Sequence, residues 1–132
     1  MTKVFSIVSI HSCPGQQIGI GNSGGLNIYV RNLIYFLIKK NQKVYLICKK
    51  HKNCNFTYQH KKFKLIHLDT NKNNPLLQKI IKETDVLISN YWTSGVFSKK
   101  FFSNDDLLKI NVSHTLEYLK KEHTNDYLID FK

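Results

Sequence analysis

The sequence predicts an α/β fold, a mostly parallel sheet between two layers of helix, on three observations. Short β-branched runs alternate with stretches of helical period along the chain. The first run, residues 4–10, is apolar at nearly every position, as a strand covered on both faces must be. A long loop rich in Gly, Ser and Asn then leads into a helix, and in parallel sheets that junction is where ligands are received.

Taken in order, residues 4–10 form the first strand, with His11 at its carboxyl end. Residues 12–23 hold Pro14, Gly15, Gly19 and Gly21 and show no helical period; a loop this long beside a sheet more often serves a ligand than mere connection. From about residue 25 to 40, Leu26, Tyr29 or Val30, Leu33 and Leu37 recur at helical spacing, and Lys39-Lys40-Asn41 places cations and an αL-tolerant residue at the negative end of the dipole. The glycines opening this helix leave N–H groups available to an anion or to sugar oxygens. Residues 44–48 are the second strand and complete a unit whose crossover is right-handed. Residues 49–62 are polar and poorly patterned, with Phe56 and Tyr58 marking at most a short edge strand.

Residues 63–68 are the third strand and 69–74 a turn, after which Pro75 opens a helix over Leu76, Leu77, Ile80 and Ile81. Residues 85–89 are the next strand, with Asn90-Tyr91-Trp92-Thr93-Ser94-Gly95 at its tip and a helix over Val96, Phe97, Phe101 and Phe102 beyond. The last clear strand, residues 107–112, ends at Ser113-His114-Thr115. His11, Asn90-Tyr91 and His114-Thr115 therefore all fall at strand carboxyl ends. In a parallel sheet those ends share one edge, so the topology gathers them into a ligand cleft.

Composition bounds the function classes. With 132 residues, 42% of them apolar, the chain has one domain's length and a real core. The net charge of +11 would ordinarily point to nucleic acid, but 19 of the 20 basic residues are Lys, Arg31 is the sole Arg, and Asn occurs 13 times, a bias that an AT-rich coding sequence produces by itself. A solvated basic surface is the expectation; nucleic acid is not an expected partner, and contact with a membrane is at most peripheral. Cys13, Cys48 and Cys54 are odd in number and form no CxxC pair, which suits unpaired thiols in a reducing compartment. No signal peptide or membrane span is evident, so a cytoplasmic location is expected.

Several chemistries lack their motifs. Gly19-Ile20-Gly21-Asn22-Ser23-Gly24 spells G-x-G-x-x-G, but it lies well beyond the first strand and no suitably spaced acid follows. No Gly-Lys-Ser or Gly-Lys-Thr occurs, and Ser94 lacks a G-x-S-x-G elbow. Among six histidines there is no H-E-x-x-H, and a grouping of His51, Cys54 and His60 sits in a Lys-rich stretch; neither a metal nor a cofactor is expected. His114 stands out through its strand terminus, the adjacent Thr115 and Lys120 beyond, a setting for hydrogen bonds to a hydroxyl or phosphate.

These residues also carry a family resemblance. Ser9-Ile10-His11-Ser12-Cys13-Pro14 and Asn22-Ser23-Gly24-Gly25-Leu26-Asn27-Ile28-Tyr29-Val30-Arg31-Asn32-Leu33 resemble the opening of retaining GT-B glycosyltransferases of family 4. The nearest subgroup is that of sucrose-phosphate synthases and D-inositol-3-phosphate glycosyltransferases. Residues 63–68, 85–95 and Val112-Ser113-His114-Thr115-Leu116 extend the match in order, over roughly residues 4–121.

The resemblance implies a Rossmann-like three-layer domain, with residues 1–132 an incomplete, truncated GT-B N-terminal domain on the acceptor side and the C-terminal donor domain missing. It implies Gly24 and Gly25 as contacts to the donor or its diphosphate, and His11, Asn27, Tyr91, Thr115 and Lys120 as acceptor-binding. His114 resembles the active-site histidine near the transferred sugar. Asn90 and Asn22 depart from the His and Asp common in relatives, which bears on acceptor identity more than on fold. The implied partners are a nucleotide-sugar donor and a sugar or sugar-phosphate acceptor, with a separate chain able to supply the donor half. Two other readings remain open at this point: a non-catalytic fragment or partner-dependent subunit, and a basic surface-binding module.

Overall fold

The computed structural model describes residues 1–10, 13–15, 25–50, 56–68, 75–102 and 106–112, Trp92 by its backbone alone. Its elements run β1 (Val4–Ser9), α1 (Gly25–Lys39), β2 (Lys43–Lys49), β3 (Phe63–Leu68), α2 (Pro75–Glu83), β4 (Val86–Asn90), α3 (Tyr91–Phe101) and β5 (Leu108–Val112). The strands form one sheet in the order β3-β2-β1-β4-β5, and every neighbouring pair is parallel. This is the Rossmann-like α/β architecture expected.

Period-two alternation sends successive strand residues to opposite faces, and each face has its own core. Ile7, Val44, Leu46, Val86 and Ile88 pack against Val30, Ile34 and Leu37 of α1. Val8, Tyr45, Ile47, Ile66, Leu68 and Leu87 pack against Leu77 and Ile80 of α2 and against Phe102, with Phe97 and Phe101 of α3 beside them. Placing α1 on one face and α2 and α3 on the other is what right-handed crossovers demand of a sheet that grows first one way from β1 and then the other.

Local chemistry sets the element ends. In α1, Asn27, Val30, Ile34 and Leu37 are buried at helical spacing. The helix stops at Asn41, whose φ of 63° is the αL conformation, with Asn41 N–H donating to Ile38 O and Gln42 N–H to Leu37 O. Pro75 occupies the first position of α2, where a missing N–H costs nothing. At the amino edge, Asp85 Oδ2 accepts from Val4 N–H, and the Ser6 and Thr84 hydroxyls share a buried 2.6 Å hydrogen bond, fixing β1 against the approach to β4.

One local expectation is corrected. Residues 90–95 were expected to be a strand-tip loop, but α3 begins at Tyr91 with no loop before it. Tyr91 has φ 70°, so a single left-handed residue turns the chain from strand to helix. Residues 56–60 form no strand; Phe56 and Tyr58 instead pack on the α1-side core, with Tyr58 edge-on to Tyr35. Among the described residues no helix is long and apolar enough to cross a membrane.

Candidate functional site

The order β3-β2-β1-β4-β5 reverses direction between β1 and β4, so the crevice above their carboxyl ends is the topological switch point at which open α/β sheets bind ligands. Along that edge the α1 side of the sheet changes from apolar to polar. One residue beyond the core positions Ile7, Leu46 and Leu65 in the alternation come Ser9, Cys48 and His67, which are register partners in one row. Asn90 ends β4 opposite Val112 of β5. Asn27, one turn before Val30, is fully buried at the start of α1.

Asn90 is the most informative of these. Its side chain is fully buried, yet Oδ1 and Nδ2 have no hydrogen-bond partner among the described residues, and it does not cap α3. Thr93 Oγ1 is likewise buried without a partner among them. Orphaned buried amides and hydroxyls are rare because each costs about 1–3 kcal/mol, so two at one strand-helix junction mark a place built to meet something polar. Tyr91, between them in sequence, carries backbone strain of about 1–3 kcal/mol, the kind that persists at functional sites.

The surroundings hold this junction in place. Ile10 N–H donates to Ser94 Oγ at 2.9 Å, and the Ser89 and Ser98 hydroxyls meet at 2.6 Å beneath it. Arg31 Nε donates to the carbonyl of buried Pro14, tying the segment after β1 to α1. A Cβ on Gly15 would lie 2.5 Å from Phe56 N and Cβ, so only glycine fits there.

Of the eight site residues that the family resemblance implies, the structure describes three. Gly25 is the exposed first residue of α1, and a Cβ there would meet nothing within 4 Å among the described residues, so packing among them does not demand glycine. Asn27 is buried, and Tyr91 is buried at the β4–α3 junction. His11, Gly24, His114, Thr115 and Lys120 lie outside the described residues.

Sequence reasoning missed two features of this edge. Thr93 and Ser94 read as tip residues without a role. Cys13, Cys48 and His67 come together with their ligand atoms all within 4.8 Å of one another, although no short spacing announced them. Cys13 is disulfide-bonded, which corrects the expectation of three unpaired thiols; Cys48 is free, and burial pushes its thiol up to about 12.

One group of described lysines sits elsewhere. Lys43, Lys61, Lys62, Lys64 and Lys79 line a cavity of 280 Å³ with Val44, Tyr45 and Phe63, at the amino edge of the sheet and opposite the switch point. Lys61 and Lys62 are therefore at the opposite edge of the sheet from it. Beside them, Glu83 Oε2 accepts from Tyr45 Oη at 2.6 Å and Lys43 Nζ at 3.3 Å. The Tyr45 hydroxyl first, then Lys43 and Lys79, hold the Glu83 carboxyl below the usual carboxylate range despite the opposing effect of burial.

No family model and no curated protein matches the chain. Among solved structures, it is similar to a sucrose-phosphate synthase from Thermosynechococcus elongatus, with a TM-score of 0.73 and 20% sequence identity over 94% of this chain. The match spans 36% of that protein's length, and what the two share is the fold.

Proposed function

We propose that residues 1–132 are the acceptor-side domain of a retaining glycosyltransferase of family 4, one that moves a sugar from a nucleotide-sugar donor to a hydroxyl of a sugar or sugar-phosphate acceptor. The observation that carries the reading is the buried Asn90 amide at the β1/β4 switch point, which has no hydrogen-bond partner among the described residues. An amide offers both a donor and an acceptor, which is what a sugar hydroxyl requires. The glycosyltransferase-like sequence pattern and the fold shared with a sucrose-phosphate synthase support it.

In this reading Gly24 and Gly25 let the donor diphosphate approach the start of α1. Asn27, Tyr91, His11, Thr115 and Lys120 bind the acceptor, and His114 contacts the transferred sugar. The attacking hydroxyl reaches the anomeric carbon from the same face as the departing diphosphate. Stabilising that leaving group falls to a donor domain, on a continuation of this chain or on a separate one, because preorganised charge on both sides of the reacting bond supplies most of such catalysis.

The test is transfer from nucleotide sugars to hexose or inositol phosphates, assayed with residues 1–132 alone and with a donor domain added. The reading expects no turnover alone and turnover on addition that falls at least about 100-fold in an Asn90→Ala variant. Turnover by the 132 residues alone contradicts the division of labour, and unchanged turnover in the variant contradicts the site.

A further inference from the structure

We propose that Cys13, Cys48 and His67 form a binding site for a thiophilic cation, Zn²⁺, that the reduced chain takes up. The three come from the segment after β1, the end of β2 and the end of β3, and Cys48 and His67 are direct register partners on neighbouring strands. Their placement is fixed by the sheet. The site does not depend on the sugar-transfer reading, since it stands over β2 and β3 rather than over the β1/β4 crevice.

Two of the three ligand-atom separations match a tetrahedral centre. Zinc bonds of about 2.3 Å to sulfur and about 2.05 Å to nitrogen put two sulfurs about 3.8 Å apart and a sulfur and a nitrogen about 3.6 Å apart at tetrahedral angles. Cys48 Sγ lies 3.8 Å from Cys13 Sγ, and Cys13 Sγ lies 3.5 Å from His67 Nε2. All three atoms fall within 4.8 Å of one another. Two thiolates balance the charge of one divalent ion, and sulfur with imidazole is the donor set that favours zinc over magnesium or calcium. Both cysteines are fully buried and His67 is partly so, leaving the fourth position to a water or a further ligand approaching from the carboxyl edge.

Because Cys13 is disulfide-bonded in the structure, the cation and the disulfide are alternatives. A dithiol reductant that reduces the disulfide leaves as its own disulfide and returns two protein thiols. Zinc then binds the Cys13 and Cys48 sulfurs and the neutral His67 imidazole, releasing two protons.

The experiment uses the full chain, reduced with a non-chelating phosphine or oxidised, and measures zinc uptake against a chromophoric chelator, with Co²⁺ as a spectroscopic probe. One zinc per reduced chain, none per oxidised chain, and thiolate-to-cobalt charge transfer with tetrahedral ligand-field bands are expected. Cys48→Ser lowers the affinity by more than about 100-fold, while Lys64→Ala leaves it unchanged. An octahedral cobalt spectrum, equal uptake by oxidised and reduced chains, or affinity retained in Cys48→Ser overturns the site. The cobalt spectrum of the unsubstituted chain decides the matter even if Cys48→Ser fails to fold.

Discussion

Ile10 N–H donates to Ser94 Oγ at 2.9 Å, so the end of β1 and the second turn of α3 are held together across the switch point by one hydrogen bond. Ser94→Ala leaves the partly buried Ile10 N–H without this acceptor, and a loss of about 1–3 kcal/mol is expected. Urea denaturation of the two proteins measures it; coincident midpoints would show that the N–H has another acceptor.

Asn90 should trade stability for binding. Replacing it with Leu removes two buried polar atoms that have no partner among the described residues, so Asn90→Leu is expected to raise stability by about 1–3 kcal/mol and to abolish binding of sugar phosphates. Chemical denaturation and calorimetric titration report the two effects separately. A variant less stable than the parent would mean that the amide is satisfied in the folded chain.

Two glycines should respond oppositely to alanine. In Gly15→Ala the new methyl meets the Phe56 backbone, which cannot yield as a side-chain tip can, and a cost of at least about 1–3 kcal/mol is expected. Gly25→Ala adds a helical methyl that meets none of the described residues, so stability should hold or rise by up to about 1 kcal/mol. Thermal melts of both variants test the contrast, and equal losses would contradict it.

Acid stability should depend on Tyr45. A carboxyl held below its usual range in the folded chain, as Glu83 is, contributes stability that is complete above the unfolded value and disappears as pH falls through the folded one. The difference between the parent and Tyr45→Phe should therefore be widest near neutral pH and close as acid titrates Glu83. Denaturation midpoints from neutral pH down to pH of about 3 follow this directly. A gap that widens in acid would have the wrong sign.

The sheet was legible because strands buried on both faces need predominantly apolar runs, and residues 4–10 and 44–48 have them. The αL stop of α1 was legible too, since Lys39-Lys40-Asn41 is the chemistry such an end requires. The first turns of α3 were not. Thr93, Ser94 and Gly95 are weak helix formers, and the turn rests on a positive φ at Tyr91, a bulky residue that gives no hint of one. Carboxyl-edge convergence could be read from alternation alone, but it names no partners. Cys13 lies 35 residues from Cys48 and 54 from His67, and strand order brings them together where spacing does not.

An amide-resolved NMR titration of the chain with a hexose phosphate or inositol phosphate tests the central claim most directly, because two sites at opposite edges of the sheet compete for the phosphate. The account predicts that the shifts move at Asn27, Asn90 and Tyr91, saturate, and are lost in Asn90→Leu. Movement confined to Lys43, Lys61, Lys62, Lys64 and Lys79 would contradict it, leaving a basic surface and no sugar-binding edge.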